Sequence, residues 1–126
     1  MTMAFDWREY VTIAGDLPQL QTSSSIEAKQ RCAVSRAYYG VYCNTRNYAI
    51  QKLNYVSTAR QMKWSEHKDL RVFLHNRGGN LIKAASDLER LHGLRKRCDY
   101  NDTVSRPTIM YTEALKLAKS IMAIVP

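Results

Sequence analysis

The chain has 126 residues and carries 19 Lys+Arg against 11 Asp+Glu, a formal charge of +8 with His neutral. That length supports one hydrophobic core, so residues 1–126 read as a single domain, and 45% hydrophobic with 24% charged residues excludes a disordered chain. No apolar run approaches the ~20 residues of a membrane span, and the opening MTMAFDWREY lacks the basic-then-apolar order of a secretory leader.

Asp6, three residues ahead of Glu9, makes a capping-box pattern. The helix it opens places Tyr10, Ile13, Ala14 and Leu17 on one face and ends near Pro18 to Thr22. Ser24-Ser25-Ile26-Glu27 forms a second such box, and nothing but Gly40 interrupts a helical pattern from there to about Leu53. Ala33, Ala37, Gly40, Val41, Tyr48 and Ala49 give this long helix a stripe of mostly small residues that admits close approach of a neighbour. Residues 54–64 lack periodicity and read as a loop. A third helix runs from Glu66 to Asn76 and stops at Gly78-Gly79. Leu81, Ala85, Leu88, Leu91 and Leu94 mark a fourth, with a break at Asn101 and Asp102. Ser105 and Pro107 open the last helix, whose apolar stripe is Met110, Ala114, Leu117, Ala118, Ile121 and Ile124. The fold class is all-α, an up-and-down bundle of four to five helices.

Three cysteines without a C-x-x-C pair point to reduced thiols and a cytoplasmic setting. His67 and His75 are separated by eight positions, and His92 falls on another helix. No H-E-x-x-H, Cys/His cluster, phosphate-cradling glycine loop or G-x-S-x-G elbow is present. The sequence therefore implies no metal and no cofactor. Excess positive charge permits an anionic partner such as nucleic acid, and it equally serves solubility.

Two segments could carry chemistry. In Ala33 to Tyr42, helical spacing sets Arg36 and Tyr39 on one face with Cys43 and Arg46. Arginine beside aromatic rings can grip phosphate and stack on bases. The tyrosines taken singly also read as core residues whose hydroxyls find a partner. Arg36, on a stripe of Ala, Gly and Tyr, needs a counter-charge, and Asp99 is a candidate. In the second segment, Arg90 to Asp102, the cations Arg90, Arg95, Lys96 and Arg97 precede Asp99 and Tyr100. A guanidinium here can hold a phosphate bidentately, or the segment can be a helix surface of ordinary ion pairs. From Arg60 to Arg97 there are 10 Lys+Arg against 4 Asp+Glu, which is six of the eight excess charges.

Taken together, Arg31 and Ser35-Arg36-Ala37-Tyr38-Tyr39, then Ser65-Glu66-His67-Lys68 with Phe73, then Leu94-Arg95 and Asp99-Tyr100 resemble the HEPN family. These are small all-α domains of prokaryotic toxin–antitoxin and defence systems. The order and spacing cover the chain from Trp7 to the last helix. The resemblance implies a two-fold homodimer and, in many members, a metal-independent endoribonuclease cleft between the two copies. The family signature is an Arg followed about four to six residues later by His. In that chemistry the 2′-hydroxyl attacks phosphorus, Arg stabilises the phosphorane and His moves protons.

This sequence departs from the signature, because Tyr100 stands in the His register after Arg95 and no His follows His92. A free phenol, with a pKa of ~10, is a poor base at neutral pH. Two functions remain open on this reading. One is an RNA-directed effector whose catalytic group is Arg95, Asp99 and Tyr100, with Arg36, Tyr39, Lys96 and Arg97 holding RNA phosphates. The other is a non-catalytic HEPN module that binds RNA, a nucleotide or a partner nucleotidyltransferase, with Tyr100 as a site of modification.

Overall fold

Ser25 accepts the Ala28 backbone N–H at 3.1 Å and opens a helix of 27 residues, Ile26–Lys52, about 40 Å long. The computed structural model describes residues 4–126. It contains, among those residues, α1 (Arg8–Asp16), α2 (Ile26–Lys52), α3 (Ala59–Met62), α4 (Glu66–Arg77), α5 (Leu81–Tyr100) and α6 (Pro107–Ile124), with a short 3-10 turn at Leu17–Gln19. The chain is 76% helix with no strand among the described residues, and the six helices pack together. No described helix is long and apolar enough to cross a membrane.

Packing is organised by α2, which lies against α1, α5 and α6, and by α5, which also holds α4 and α6. Val34, Ala37 and Val41 of α2 meet Leu70 and Leu74 of α4, Leu88 and Leu91 of α5, and Ala118 and Ile121 of α6 in one core cluster. Each fully buried Leu or Ile contributes roughly 2 kcal/mol. The stripe expected on α6 is the face that packs, with Met110, Ala114, Leu117, Ala118 and Ile121 all buried.

Local details differ from the sequence expectations at the helix starts. Trp7, not Asp6, is the N-cap of α1 and makes no side-chain cap. Asp6 instead receives the Arg8 backbone N–H at 3.0 Å and pairs with its guanidinium. The buried face of α1 is Val11 and Ala14, while Ile13 is about half exposed. Ser25 caps α2 alone, and Glu27 turns to Arg31 rather than closing a box. Arg106, with φ of 54°, precedes α6 in place of Ser105. As expected, α4 ends at two positive-φ glycines, Gly78 (85°) and Gly79 (61°).

The contact between α1 and α2 depends on Gly40. A Cβ there would lie 2.9 Å from the Trp7 carbonyl oxygen, 2.9 Å from Tyr10 Cβ and 3.1 Å from Val11 Cγ2. Backbone and Cβ atoms cannot swing aside, so α1 would have to shift. Gly40→Ala is therefore expected to destabilise the fold by about 2 kcal/mol, overriding the ~1 kcal/mol that alanine gains in a helix interior. Urea denaturation checks this, and unchanged or raised stability would refute the close packing.

The segment read as a loop, residues 54–64, contains the single turn α3 and is fastened to α4 by one buried carboxylate. Asp69, 3% exposed, accepts from Tyr55 Oη at 2.8 Å, the Thr58 backbone N–H at 2.9 Å, Thr58 Oγ1 at 2.8 Å and Trp64 Nε1 at 2.7 Å. These bonds replace the apolar periodicity that the segment lacks.

Candidate functional site

Helices α2, α4 and α5 bring a polar and aromatic group to one side of the core. Its centre is Arg95 on α5, whose side chain is 13% exposed. Its guanidinium lies over the Tyr39 ring, 4.8 Å from the centroid, and over Tyr100 at 5.4 Å. Nη2 donates to Tyr39 Oη at 2.6 Å and to Tyr100 Oη at 3.4 Å. Nε stands 2.8 Å from Asp99 Oδ2, one helical turn on, yet this buried nitrogen makes no hydrogen bond. The contact is thus an ion pair without N–H alignment. Ser35 Oγ donates to the same carboxylate oxygen at 3.2 Å. Arg95, Asp99, Tyr100 and Tyr39, all expected from sequence, form one contiguous group.

Arg31 holds the end of the helix that carries them. Its Nε donates to the Cys98 carbonyl at 2.8 Å and its Nη2 to the Asn101 carbonyl. The last carbonyls of a helix have no partner within it, and Arg31 supplies one from α2.

Beside Arg95 stand two imidazoles that sequence spacing had set apart. His67 of α4 and His92 of α5 stack at 4.7 Å between ring centroids with planes 14° apart. Tyr42 covers His67 at 4.2 Å, and Tyr38 lies against His92 at 4.7 Å. Arg71 Nη1 is 3.2 Å from His92 Nδ1. A guanidinium can only donate, so Nδ1 accepts and the ring proton is assigned to Nε2. Tyr38 Oη is 2.5 Å from His67 Nδ1. Burial, the largest influence, raises the Tyr38 pKa well above the ordinary tyrosine range. The phenol therefore keeps its proton, and its donation to Nδ1 goes with a His67 proton on Nε2.

Both imidazoles are held neutral. Burial first, then His67 and Arg71, press His92 down to about 4. Burial, then Arg95 and Arg71, lower His67. Such an arrangement can present neutral N–H donors and guanidinium charge to an anion from one surface.

The remaining expected residues are dispersed. Arg36 follows Ser35 by one position, about 100° further round α2, and leaves on the α1 flank, its guanidinium 5.5 Å from the Tyr10 ring. It is exposed. It therefore needs no buried counter-charge, and the expected Arg36–Asp99 pair is replaced by Arg95–Asp99. Cys43 is buried and Arg46 lies over Tyr42 at 5.9 Å, so the four residues spaced along α2 do not share an open face. Lys96 is exposed at the imidazole group, where its charge helps to lower both histidines. Arg97, two positions beyond Arg95, points to the other side of α5. Arg90 pairs with Glu113 of α6.

Sequence reading passed over Arg71 and the His67–His92 pair. The one visible signal was the three-residue step from His92 to Arg95, which puts both on one helical face. His67 joins them only through the packing of α4 on α5. Among the described residues no three His, Cys, Asp or Glu side chains are placed to hold a metal ion. Compared with protein-family models, with curated proteins and with solved structures, the chain matches none.

Proposed function

We propose that the protein is an RNA-directed effector of the HEPN type that acts as a homodimer and breaks RNA phosphodiesters without a metal ion. The observation that supports this reading is a guanidinium, Arg95, flanked by tyrosines and set beside two stacked imidazoles. The imidazoles supply the proton-transfer chemistry whose absence after Arg95 weakened the sequence reading. The 2′-oxygen attacks the adjacent phosphorus and gives its proton to water, the bond to the 5′-oxygen breaks, and that oxygen takes a proton from the imidazole pair. Arg95 stabilises the charge on the crowded phosphorus, while Asp99 and Tyr39 hold the guanidinium in place.

The purified protein is expected to cut mixed cellular RNA equally with and without EDTA, leaving 2′,3′-cyclic phosphate and 5′-hydroxyl ends. RNA that stays intact under both conditions would overturn the reading. Tyr100 favours a second one. It is 69% exposed and its hydroxyl is held only at 3.4 Å, so it is open to modification by a partner nucleotidyltransferase. Intact RNA together with a nucleotide's added mass on Tyr100 would assign the non-catalytic module instead.

A further inference from the structure

The hydrogen bonds of the two histidines give them a part other than that of a base. Each Nδ1 is already occupied, by Arg71 on His92 and by Tyr38 on His67. With Tyr38 as the donor to His67, each neutral ring carries a single N–H, at Nε2. Neither Nε2 makes a hydrogen bond among the described residues, and neither is among the buried unpartnered side-chain atoms. Both rings are half-buried, so both Nε2–H groups open to the surface. The two rings are near-parallel and 4.7 Å apart. Arg95 Nη1 likewise has no partner among the described residues and is not among the buried unpartnered atoms.

We propose that His67 and His92 form a paired N–H clamp for a phosphate group, completed by Arg95 and Arg71, and that occupying the clamp draws one proton onto the imidazole pair. The inference rests on the RNA-directed reading for its biological substrate, although the clamp is defined by its own donors. The electrostatics follow from what faces the pair. On α4 these are Arg71 and Glu66; on α5 they are Lys96 and Arg95, the latter paired with Asp99; on α2 they are the tyrosine hydroxyls and Arg46, which lies over the Tyr42 ring that covers His67. Cations thus outnumber anions around two neutral rings. A bound phosphate offsets those cations and favours the imidazolium. The two rings are too close for both to carry charge, so the pair takes up one proton between them. In RNA cleavage that proton goes to the departing 5′-oxygen as the bond from phosphorus to it breaks. The clamp therefore serves the leaving-group side of the reaction.

The test is a pH titration of the imidazole nitrogens of the full chain by NMR, alone and with two probes. One probe is inorganic phosphate; the other is a short single-stranded oligodeoxynucleotide, which lacks the 2′-hydroxyl and stays uncut. Without a probe, both rings are expected as the Nε2–H form at pH 7. With a probe, the apparent pKa of the pair is expected to rise by about one unit, a tenfold change in proton affinity. A response to phosphate alone identifies a terminal phosphomonoester as the ligand, and a response to the oligonucleotide identifies the backbone diester; either supports the clamp. Arg71→Ala should remove most of the shift. His92→Gln keeps an N–H donor and leaves one titrating ring, and should bind phosphate with proton uptake confined to His67. An Nδ1–H form on either ring, or probes that leave both titrations unchanged, overturns the clamp. Intact RNA with a phosphate-induced shift would sink the nuclease reading and leave the clamp standing. Cleavage without any shift would do the reverse.

Discussion

Arg95→Ala is expected to lower the rate of the proposed RNA cleavage by about a hundred- to a thousandfold, the usual cost of removing one preorganised charge donor. The same substitution should disturb the fold far less. Its ion pair with Asp99 lies within one helix, and pairs of that kind contribute about 0.5 kcal/mol; the tyrosines around it remain packed on their own helices. Activity and stability therefore separate, as single-turnover cleavage and thermal melting would show. Arg95→Lys restores the charge but not the planar group that lies between Tyr39 and Tyr100 or the fork that grips two phosphate oxygens. It should recover only part of the lost rate. Wild-type cleavage by a folded Arg95→Ala protein would remove Arg95 from the mechanism.

Asp69→Ala carries the largest expected effect on stability. Four donors converge on this carboxylate, among them a backbone N–H and the Trp64 indole. Removing it strands them in a partly dry environment, at a cost of about 3 kcal/mol, or roughly a 10 °C fall in melting temperature for a domain of this size. Two-state thermal unfolding measures it, and a loss under about 1 kcal/mol would show that the bonds to Asp69 are replaceable by water.

The same carboxylate sets an acid limit. Burial raises its pKa, but the hydrogen bonds from Trp64, Thr58 and Tyr55 outweigh that and bring it to about 2. An unfolded aspartate titrates near ~3.9. The folded value is the lower one, so this stabilisation is fully present above the unfolded pKa and disappears as pH falls from about 4 toward 2. The buried imidazoles act in an earlier window. His92, at about 4 when folded, has an unfolded value of ~6.5, so the unfolded chain takes up protons first as pH falls between the two. Asp69→Asn should flatten the lower window and His92→Gln the upper one.

Much of the helix pattern could be read from the chain because its punctuation is local. The Ser24–Glu27 segment opens α2, with Ser25 as the cap, and Gly78-Gly79 ends α4 through backbone conformations that other residues avoid. The turn α3 escaped because its stability is not local: Tyr55, Thr58 and Trp64 are fastened by Asp69, a residue beyond the segment itself. Ile13 was misplaced and Val11 overlooked because a nine-residue helix offers too few turns to define its inward face. Within the site, Arg95 and Asp99 were readable as neighbours one turn apart on α5. The stacking of His67 on His92 was not, since it depends on how α4 lies across α5. The Arg36–Asp99 pairing was not realised for a related reason. The neighbours of Arg36 in sequence are buried, but the close approach of α1 at Gly40 leaves the Arg36 side chain outside, on Tyr10.

Arg31 has an electrostatic consequence beyond holding α5 in place. The free carbonyls at a helix C-terminus amount to about half a negative charge, and here they lie beside the carboxylate of Asp99 and next to Tyr100. Left alone, that end of α5 would repel any anion approaching Arg95. The Arg31 guanidinium sits on the Cys98 and Asn101 carbonyls and neutralises the helix end at the point where repulsion would be strongest. A residue that touches none of the exposed donors thereby offsets the negative end of α5 beside Arg95.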